Sequence, residues 1–319
     1  MGPVHIKPGI RNYDWGEKGR SALLPQLLHL KPKKNVPFAE LWIGTDKLPV
    51  LAKIISAEKC LSIQAHPNAR QAKSGFSAGI YHDPHPKNEV IIALSEFHLL
   101  SGFRPVSEIR RLWAGAPELS GALKPPGSGG LKDFCRRLLS LDQSAANRIL
   151  GSLVKRLKKQ GKFTRRNPEY WLLKGDRERS LGNFRDKGLF FFYLLNLVRL
   201  RTGEAHFIAP GKIHAHLQGR GIEVMNNSDN VVRAGLTAKK VNVPELLKIG
   251  DFSPGKPKIL AVNRTGGINL SFSNFRIKMS RENILTAAPG FEARYEADSA
   301  SILLHICYKK LRTVLEVSC

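Results

Sequence analysis

Four short stretches of the 319-residue chain place polar side chains at spacings that chemistry can use. In SIQAHP (62 to 67), Gln64 and His66 stand two residues apart, so in a strand they point to one face. In YHDPHPKNEV (81 to 90), Lys87 and Glu89 share that spacing at the mouth of the apolar run EVIIAL. APGKIHAHLQG (209 to 219) repeats it with His214 and His216 after a Pro-Gly turn. GIEVMNNSDNVVRAGLTAKK (221 to 240) brings Glu223, Asp229, Arg233 and Lys239 near one another. Taken singly, each has a plain structural explanation: a Gln–His core pair, a solvated strand-end acid, loop histidines, an Asx turn at SDN. Taken together, His, carboxylate and His from three strands are the ligand types of a catalytic zinc or another borderline divalent ion. In a β-barrel, inward positions on distant strands meet across the lumen.

The elements that must position them follow from texture. From Phe38 to Leu100 the chain is a series of strand-length apolar runs, FAELWIGT, VLAKIIS, CLSIQAH, EVIIALS and FHLLSGF, separated by turn residues. After Pro105, VSEIRRLWAG, LKDFCRRLLSLD and SAANRILGSLVKRLKK show apolar residues at three- and four-residue steps, the pattern of amphipathic helices. LKPPGSGG (123 to 130) lies between the first two as a breaker-rich linker. GLFFFYLLNLV (188 to 198) is too short to span a bilayer and reads as one more buried helix. Strands resume with EAHFIAP, KIHAHLQG and GIEVMNNS, and the tail has strand-like pieces in INLSFSNFRIKMS and ASILLHICYKKLRTVLEV. The expected fold is mainly β with an α insertion: a jelly-roll domain from 1–104 plus 189–240, a helical insertion over 105–188, and a C-terminal unit, 241–319, supporting only an incomplete second jelly roll.

The bulk numbers exclude more than they assign. A hydrophobic fraction of 42% is that of a globular chain. The N-terminus shows no apolar leader, and Cys60, Cys135, Cys307 and Cys319 have no paired spacing, which disfavours a disulfide framework or thiolate cluster and fits a reducing cytoplasm. The formal charge of +25 raises the question of nucleic acid. Its densest stretch, VKRLKKQGKFTRR (154 to 166), has no recognition signature and no interleaved aromatics, so a solvated face or an anionic small substrate explains the sign as well.

AELWIGT (39 to 45), SIQAHPNARQA (62 to 72), YHDPHPKNE (81 to 89), LLNLVRLRTGEAHFIAPGKIHAHLQG (194 to 219) and GIEVMNNSDNVVRAGLTAKK together resemble type I phosphomannose isomerase. That family comprises zinc-dependent mannose-6-phosphate isomerases on cupin-type jelly rolls. The resemblance covers about Tyr13 to Lys240 and implies one Zn²⁺ held by Gln64, His66, Glu89 and His214. It implies Lys87 as the lysine of the acid–lysine motif, Glu223 for proton transfer, Arg233 in the active site and with Lys239 on the phosphate, and Ser62 near that phosphate. Two imidazoles, an amide and one carboxylate would leave the ion residually positive, suited to the charge that builds on O1/O2 of an enediol(ate). Arg233 offers a bidentate fork and Lys239 a point charge. The chain departs from the family where HPKNE replaces an Asn-His-Lys-Pro-Glu type run, where His216 replaces tyrosine, at Asp46 in place of histidine, and in a short tail after ILLHI. A metal-binding cupin without isomerase activity, acting as a sugar-phosphate sensor or scaffold, is the alternative. The expected partner is a phosphorylated hexose, with no membrane and no nucleic acid, for a cytoplasmic monomer.

Overall fold

The computed structural model describes residues 4–5, 9–28, 30–44, 50–127, 130–261, 268–272, 275–280, 292–297, 301–308 and 311–318. Its strands are β1 (Val4–His5), β2 (Gly9–Arg11), β3 (Glu17–Lys18), β4 (Pro37–Phe38), β5 (Glu40–Ile43), β6 (Val50–Ala57), β7 (Ile63–Ala65), β8 (Glu89–Ala93) and β9 (Phe97–Phe103). They continue with β10 (Leu195–Leu200), β11 (Glu204–Ile208), β12 (His214–Asn226), β13 (Val232–Gly235) and β14 (Leu260–Ala261). The tail adds β15 (Ile268–Phe272), β16 (Phe275–Ser280), β17 (Glu292–Ala297), β18 (Ser301–Tyr308) and β19 (Leu311–Ser318). The helices are α1 (Leu23–Leu27), α2 (Ala69–Ser77), α3 (Val106–Ala114), α4 (Pro117–Ala122), α5 (Leu131–Leu139), α6 (Gln143–Gln160), α7 (Pro168–Arg179), α8 (Phe191–Leu194) and α9 (Val243–Ile249).

The large sheet runs β14-β11-β8-β12-β6-β5-β2, and β7, β13, β9 and β10 join it through β12. All of its named pairings are antiparallel. The 13-residue β12 serves two sets of neighbours. Its first part pairs with β7 and β9, and Gly219–Asn226 pairs with β6 and β8. The corner is Gly219, at φ +138°, where an added Cβ would lie 2.7 Å from Phe97 Cα. Only glycine can bend the strand this close to a neighbouring backbone. KIHAHLQG and GIEVMNNS are therefore one strand rather than two. β1 belongs to a second, six-stranded sheet of order β1-β17-β18-β19-β16-β15.

Alternation along the strands decides what faces the interior. Ile63 and Ala65 of β7, with Ile213, Ala215 and Leu217, pack into one apolar cluster with Trp113, Phe134, Leu153, Trp171 and Phe190 to Phe192 of the helical layer. The helices thus cover one face of these strands and leave Gln64, His66, His214 and His216 on the other. The helical stripe is regular: α5 buries Leu131, Phe134, Cys135 and Leu138, and α6 buries Ala146, Leu150, Leu153, Val154 and Leu157. On the far sheet, Ile54, Val90, Ile92, Ile222 and Val224 face one cluster. Ile55, Ile91, Phe97 and Leu99 face another, so Lys53, Glu89 and Glu223 point inward with them.

Several other elements differ from the sequence expectation. GLFFFYLLNLV is not one helix: a 3₁₀ turn (Lys187–Phe190) and the single turn of α8 lead into β10, which pairs with β9. The run is buried on every side, and apolar content without periodicity does not separate a helix from a buried strand. Asn196 fixes the strand, donating Nδ2 to the carbonyls of Ser101, Gly102 and Gly255 at 3.2, 3.0 and 2.8 Å. The helices α2, α7 and α9 were not anticipated. The first begins with a capping box in which Asn68 accepts from the Gln71 N–H and Gln71 from the Asn68 N–H. Among the described residues no helix is long and apolar enough to cross a membrane.

Candidate metal centre and substrate cavity

His66, Glu89 and His214, on or beside β7, β8 and β12, bring their ligand atoms within 4.8 Å of one another, all buried. His66 Nε2 lies 3.2 Å from Glu89 Oε1, and His214 Nε2 lies 3.1 Å from Glu89 Oε2. Each ring is oriented from behind. His66 Nδ1 faces the Asn230 carbonyl at 2.7 Å and His214 Nδ1 faces the Lys212 carbonyl at 2.8 Å. A carbonyl only accepts, so Nδ1 carries the proton in both rings and the Nε2 lone pairs converge on the carboxylate. His66 Nε2, His214 Nε2 and Glu89 Oε2 are buried without a hydrogen-bond partner. Such a group is costly unless something accepts its lone pairs.

The protonation states suit a cation. Burial lowers His66 to about 4, with Lys87 adding to the effect and Glu89 opposing it. Burial would raise the Glu89 carboxyl, but the surrounding His66, Lys87 and His214 hold it well below the usual carboxylate range. Neutral imidazole and ionised carboxylate are the forms a metal binds. Two imidazole nitrogens and a carboxylate are the donors expected of a catalytic zinc site. Gln64 is the direct cross-strand partner of His214 on β12 and of Arg233 on β13, so all three face the same side. Its Oε1 accepts from Ser62 Oγ at 3.0 Å.

HPKNE is held in place by side-chain contacts. Lys87 Nζ lies 3.3 Å from Glu89 Oε1. Asn88, in the place of proline, donates its N–H and its Nδ2 to Asn226 Oδ1 at 2.9 and 2.8 Å, which fixes where Glu89 enters β8. The SDN turn is more than a turn. Asn230 accepts from the His82 and Asp83 N–H groups and donates to the Asp83 and His85 carbonyls. Ser228 Oγ donates to Asp83 Oδ2 at 3.1 Å.

A cavity of about 570 Å³ opens in front of the cluster, lined by Ser62, Gln64, Lys87, Glu89, Glu223, Asp229, Arg233 and Lys239. Every sequence-assigned residue is thus in its wall except His66 and His214, which lie behind it, 1% exposed. Sequence reasoning missed Lys53, opposite Glu223 on β6, with Nζ 3.2 Å from Glu223 Oε2. Burial would lower Lys53, yet Glu40, Glu223 and Glu89 together raise it, so it stays charged. The signal was present as a lysine inside the apolar run VLAKIIS, at an inward position. His216 does not join the metal cluster. Its Nδ1 lies 3.8 Å from Glu223 Oε1 and its ring stands edge-on to Phe97. Asp46 lies outside the described residues.

The wall cations divide into two groups. Lys53 is paired with Glu223, Lys87 with Glu89, and Arg179 with Asp14 at 3.2 Å. Arg233, half-buried, makes no ion pair among the described residues, and burial lowers its pKa. Lys239 makes no ion pair among the described residues, and its Nζ stands 6.0 Å from the Tyr13 ring. A buried His-Glu-His set at the bottom of a jelly-roll cavity, with unpaired cations at its rim, defines a metal-dependent cupin built to take an anionic small molecule.

Comparison with known proteins narrows the class. A model of the type I phosphomannose isomerase catalytic domain matches residues 45–106. Mannose-6-phosphate isomerase of Escherichia coli (strain K12) is 34% identical over 294 residues, 75% of this chain and 72% of that one. The Salmonella typhimurium protein is 32% identical over 321 residues, 82% and 78% of the two chains. A lysine-to-alanine variant of phosphomannose isomerase from Salmonella typhimurium superposes with a TM-score of 0.76 at 26% identity, covering 99% of this chain and 97% of that one. A zinc-bound mannose 6-phosphate isomerase gives 0.71 at 25% identity, covering 98% and 96%. The chain belongs to the type I phosphomannose isomerase family.

Proposed function

We propose that the chain is a zinc-dependent aldose–ketose isomerase that interconverts mannose 6-phosphate and fructose 6-phosphate. The observation that carries this is the convergence of two oriented Nε2 atoms and one ionised carboxylate at the bottom of the cavity, all buried, with both Nε2 atoms and Glu89 Oε2 lacking a hydrogen-bond partner. His66, Glu89 and His214 hold one Zn²⁺, and Gln64, register partner of His214, supplies a fourth, neutral oxygen. When bound, the zinc supplies positive charge where the O1/O2 pair becomes anionic.

The chain's own residues do the rest. Glu223 takes the proton from one carbon of the C1/C2 pair and returns it to the other, while the hydroxyl proton passes between O2 and O1 through the enediol. Lys53 holds the Glu223 carboxylate at 3.2 Å and keeps a positive charge beside the developing enediolate. Arg233 and Lys239 take the phosphate, because the other wall cations are already matched to carboxylates. With Gln64 between His214 and Arg233, two strand spacings of roughly 5 Å each separate the His214 and Arg233 backbones. Binding energy at the phosphate then positions the distant carbons. Lys87 keeps Glu89 ionised, and Ser62 orients Gln64.

A coupled assay on purified protein tests the proposal: turnover should vanish on chelation and return with zinc. Turnover indifferent to chelator, or none with zinc restored, overturns it. We further propose the three-unit division at 1–104 plus 189–240, 105–188 and 241–319, and a cytoplasmic monomer with no nucleic-acid role. Sedimentation at two concentrations, with and without duplex, checks the last two points.

A further inference from the structure

Asp186 closes the helical segment and is 6% exposed, yet it forms no ion pair among the described residues and is not in the cavity wall. Its carboxylate is spent on backbone. Oδ1 accepts from the Gly188 N–H at 2.7 Å and the Leu236 N–H at 2.8 Å, and Oδ2 accepts from the Thr237 N–H at 3.2 Å. Leu236 sits at φ +52°, a region that branched and bulky side chains avoid. Gly188 and Gly235 touch so closely that a Cβ on either would lie 2.6 Å from the other segment's backbone. Leu236, Thr237 and Lys239 form part of the cavity wall, directly after Arg233. A buried carboxylate without a cation is costly, and here its only return is the shape of this loop.

We infer that Asp186 is a positioning residue for substrate phosphate. It locks the strained turn that aims Arg233 and Lys239. By occupying the Leu236 and Thr237 amides it also leaves side chains, not backbone, to grip the anion. The inference rests on the placement of phosphate at Arg233 and Lys239 given above.

The test compares Asp186→Ala, Asp186→Asn and Arg233→Ala as zinc-loaded full chains, reading kcat, KM for mannose 6-phosphate, and competitive inhibition by inorganic phosphate. Asp186→Ala should raise KM and the phosphate inhibition constant together by about tenfold, with zinc content and kcat nearly kept. Asp186→Asn, which retains the Oδ1 acceptor, should recover most of the loss. If the alanine variant does not fold, a severalfold rise in the asparagine variant is the expected result. An unchanged phosphate constant in the folded Asp186 variants, with a raised one in Arg233→Ala, overturns the inference alone. An unchanged constant in Arg233→Ala overturns the phosphate site and the inference with it.

Discussion

The Nδ1 of His66 lies 2.7 Å from the carbonyl oxygen of Asn230, 164 residues along the chain. The same asparagine, fully buried, spends its side chain on the 82–85 loop that precedes Lys87 and Glu89. One residue thereby sets the ring of one metal ligand and the approach to another. Orienting partners of this kind are worth nearly as much as the ligands themselves.

Replacing Asn230 by alanine removes the side-chain bonds and lets its carbonyl drift. Zinc affinity, measured by competition with a chromophoric chelator, should fall about 10–100-fold. Unaltered affinity would remove Asn230 from the metal's support.

Glu223 to glutamine keeps the shape and deletes the base. Turnover should drop by roughly 10²–10⁴ while zinc content stays at that of the parent. Retained turnover would move the proton transfer to another group.

Gln64 to glutamate adds a second carboxylate to the metal set. Zinc should be held at least as well, and kcat should fall because the ion is left less positive at the O1/O2 pair. An unchanged rate with zinc in place would make Gln64 purely structural.

His98 provides a pH-dependent stability component away from the metal. It is 1% exposed, its ring tilted by 41° against Trp171 with centroids 4.8 Å apart, and Glu96 Oε1 lies 3.7 Å from its Nε2. Burial lowers its pKa to about 4, aided by Arg165 and Arg199 and opposed by Glu96. The unfolded ring takes up a proton near its ordinary value of 6.5 and the folded ring only near 4. Stability is therefore lost as pH falls through that window. His98→Phe keeps a ring against Trp171 but removes the titrating group, so its Tm should fall less between pH 7 and 5 than the parent's. Parallel pH profiles would refute the assignment.

Gly219→Ala must place a methyl 2.7 Å from Phe97 Cα at φ +138°. Destabilisation of more than about 1 kcal/mol in urea unfolding is expected, since neither the backbone nor the angle can yield. An unchanged midpoint would show that the corner does not depend on glycine.

The facing of much of the candidate site was legible because period-2 spacing within apolar runs is a strong statement, while the ligand and catalytic roles came with the family resemblance. Gln64 with His66, Lys87 with Glu89, and Glu223 inside IEV each had their facing fixed by neighbours that had to be buried. Lys53 had the same signature and was passed over, because a lone lysine in a strand looks like an edge. His216 was legible as a same-face neighbour of His214, but its pairing with Glu223 depends on the bend at Gly219, a tertiary event. The 188–198 run misled because it is buried all round. Its conversion to β10 depends on pairing with β9, nearly a hundred residues earlier. Asp186 was invisible, since nothing local marks a carboxylate two of whose three partners are amides about fifty residues away.

The long strand β12 carries His214 at one end and Glu223 beyond the corner, and it is the strand on which both sets of neighbours lean. During synthesis, at about 5–20 residues per second, Gln64, His66 and Glu89 leave the ribosome on the order of ten seconds before His214 does. For that interval the nascent chain owns three of the four candidate ligands and two groups of strand edges with nothing to join them. Completion of the ligand set and joining of the two groups of strands are then one late event, set by the arrival of a single strand.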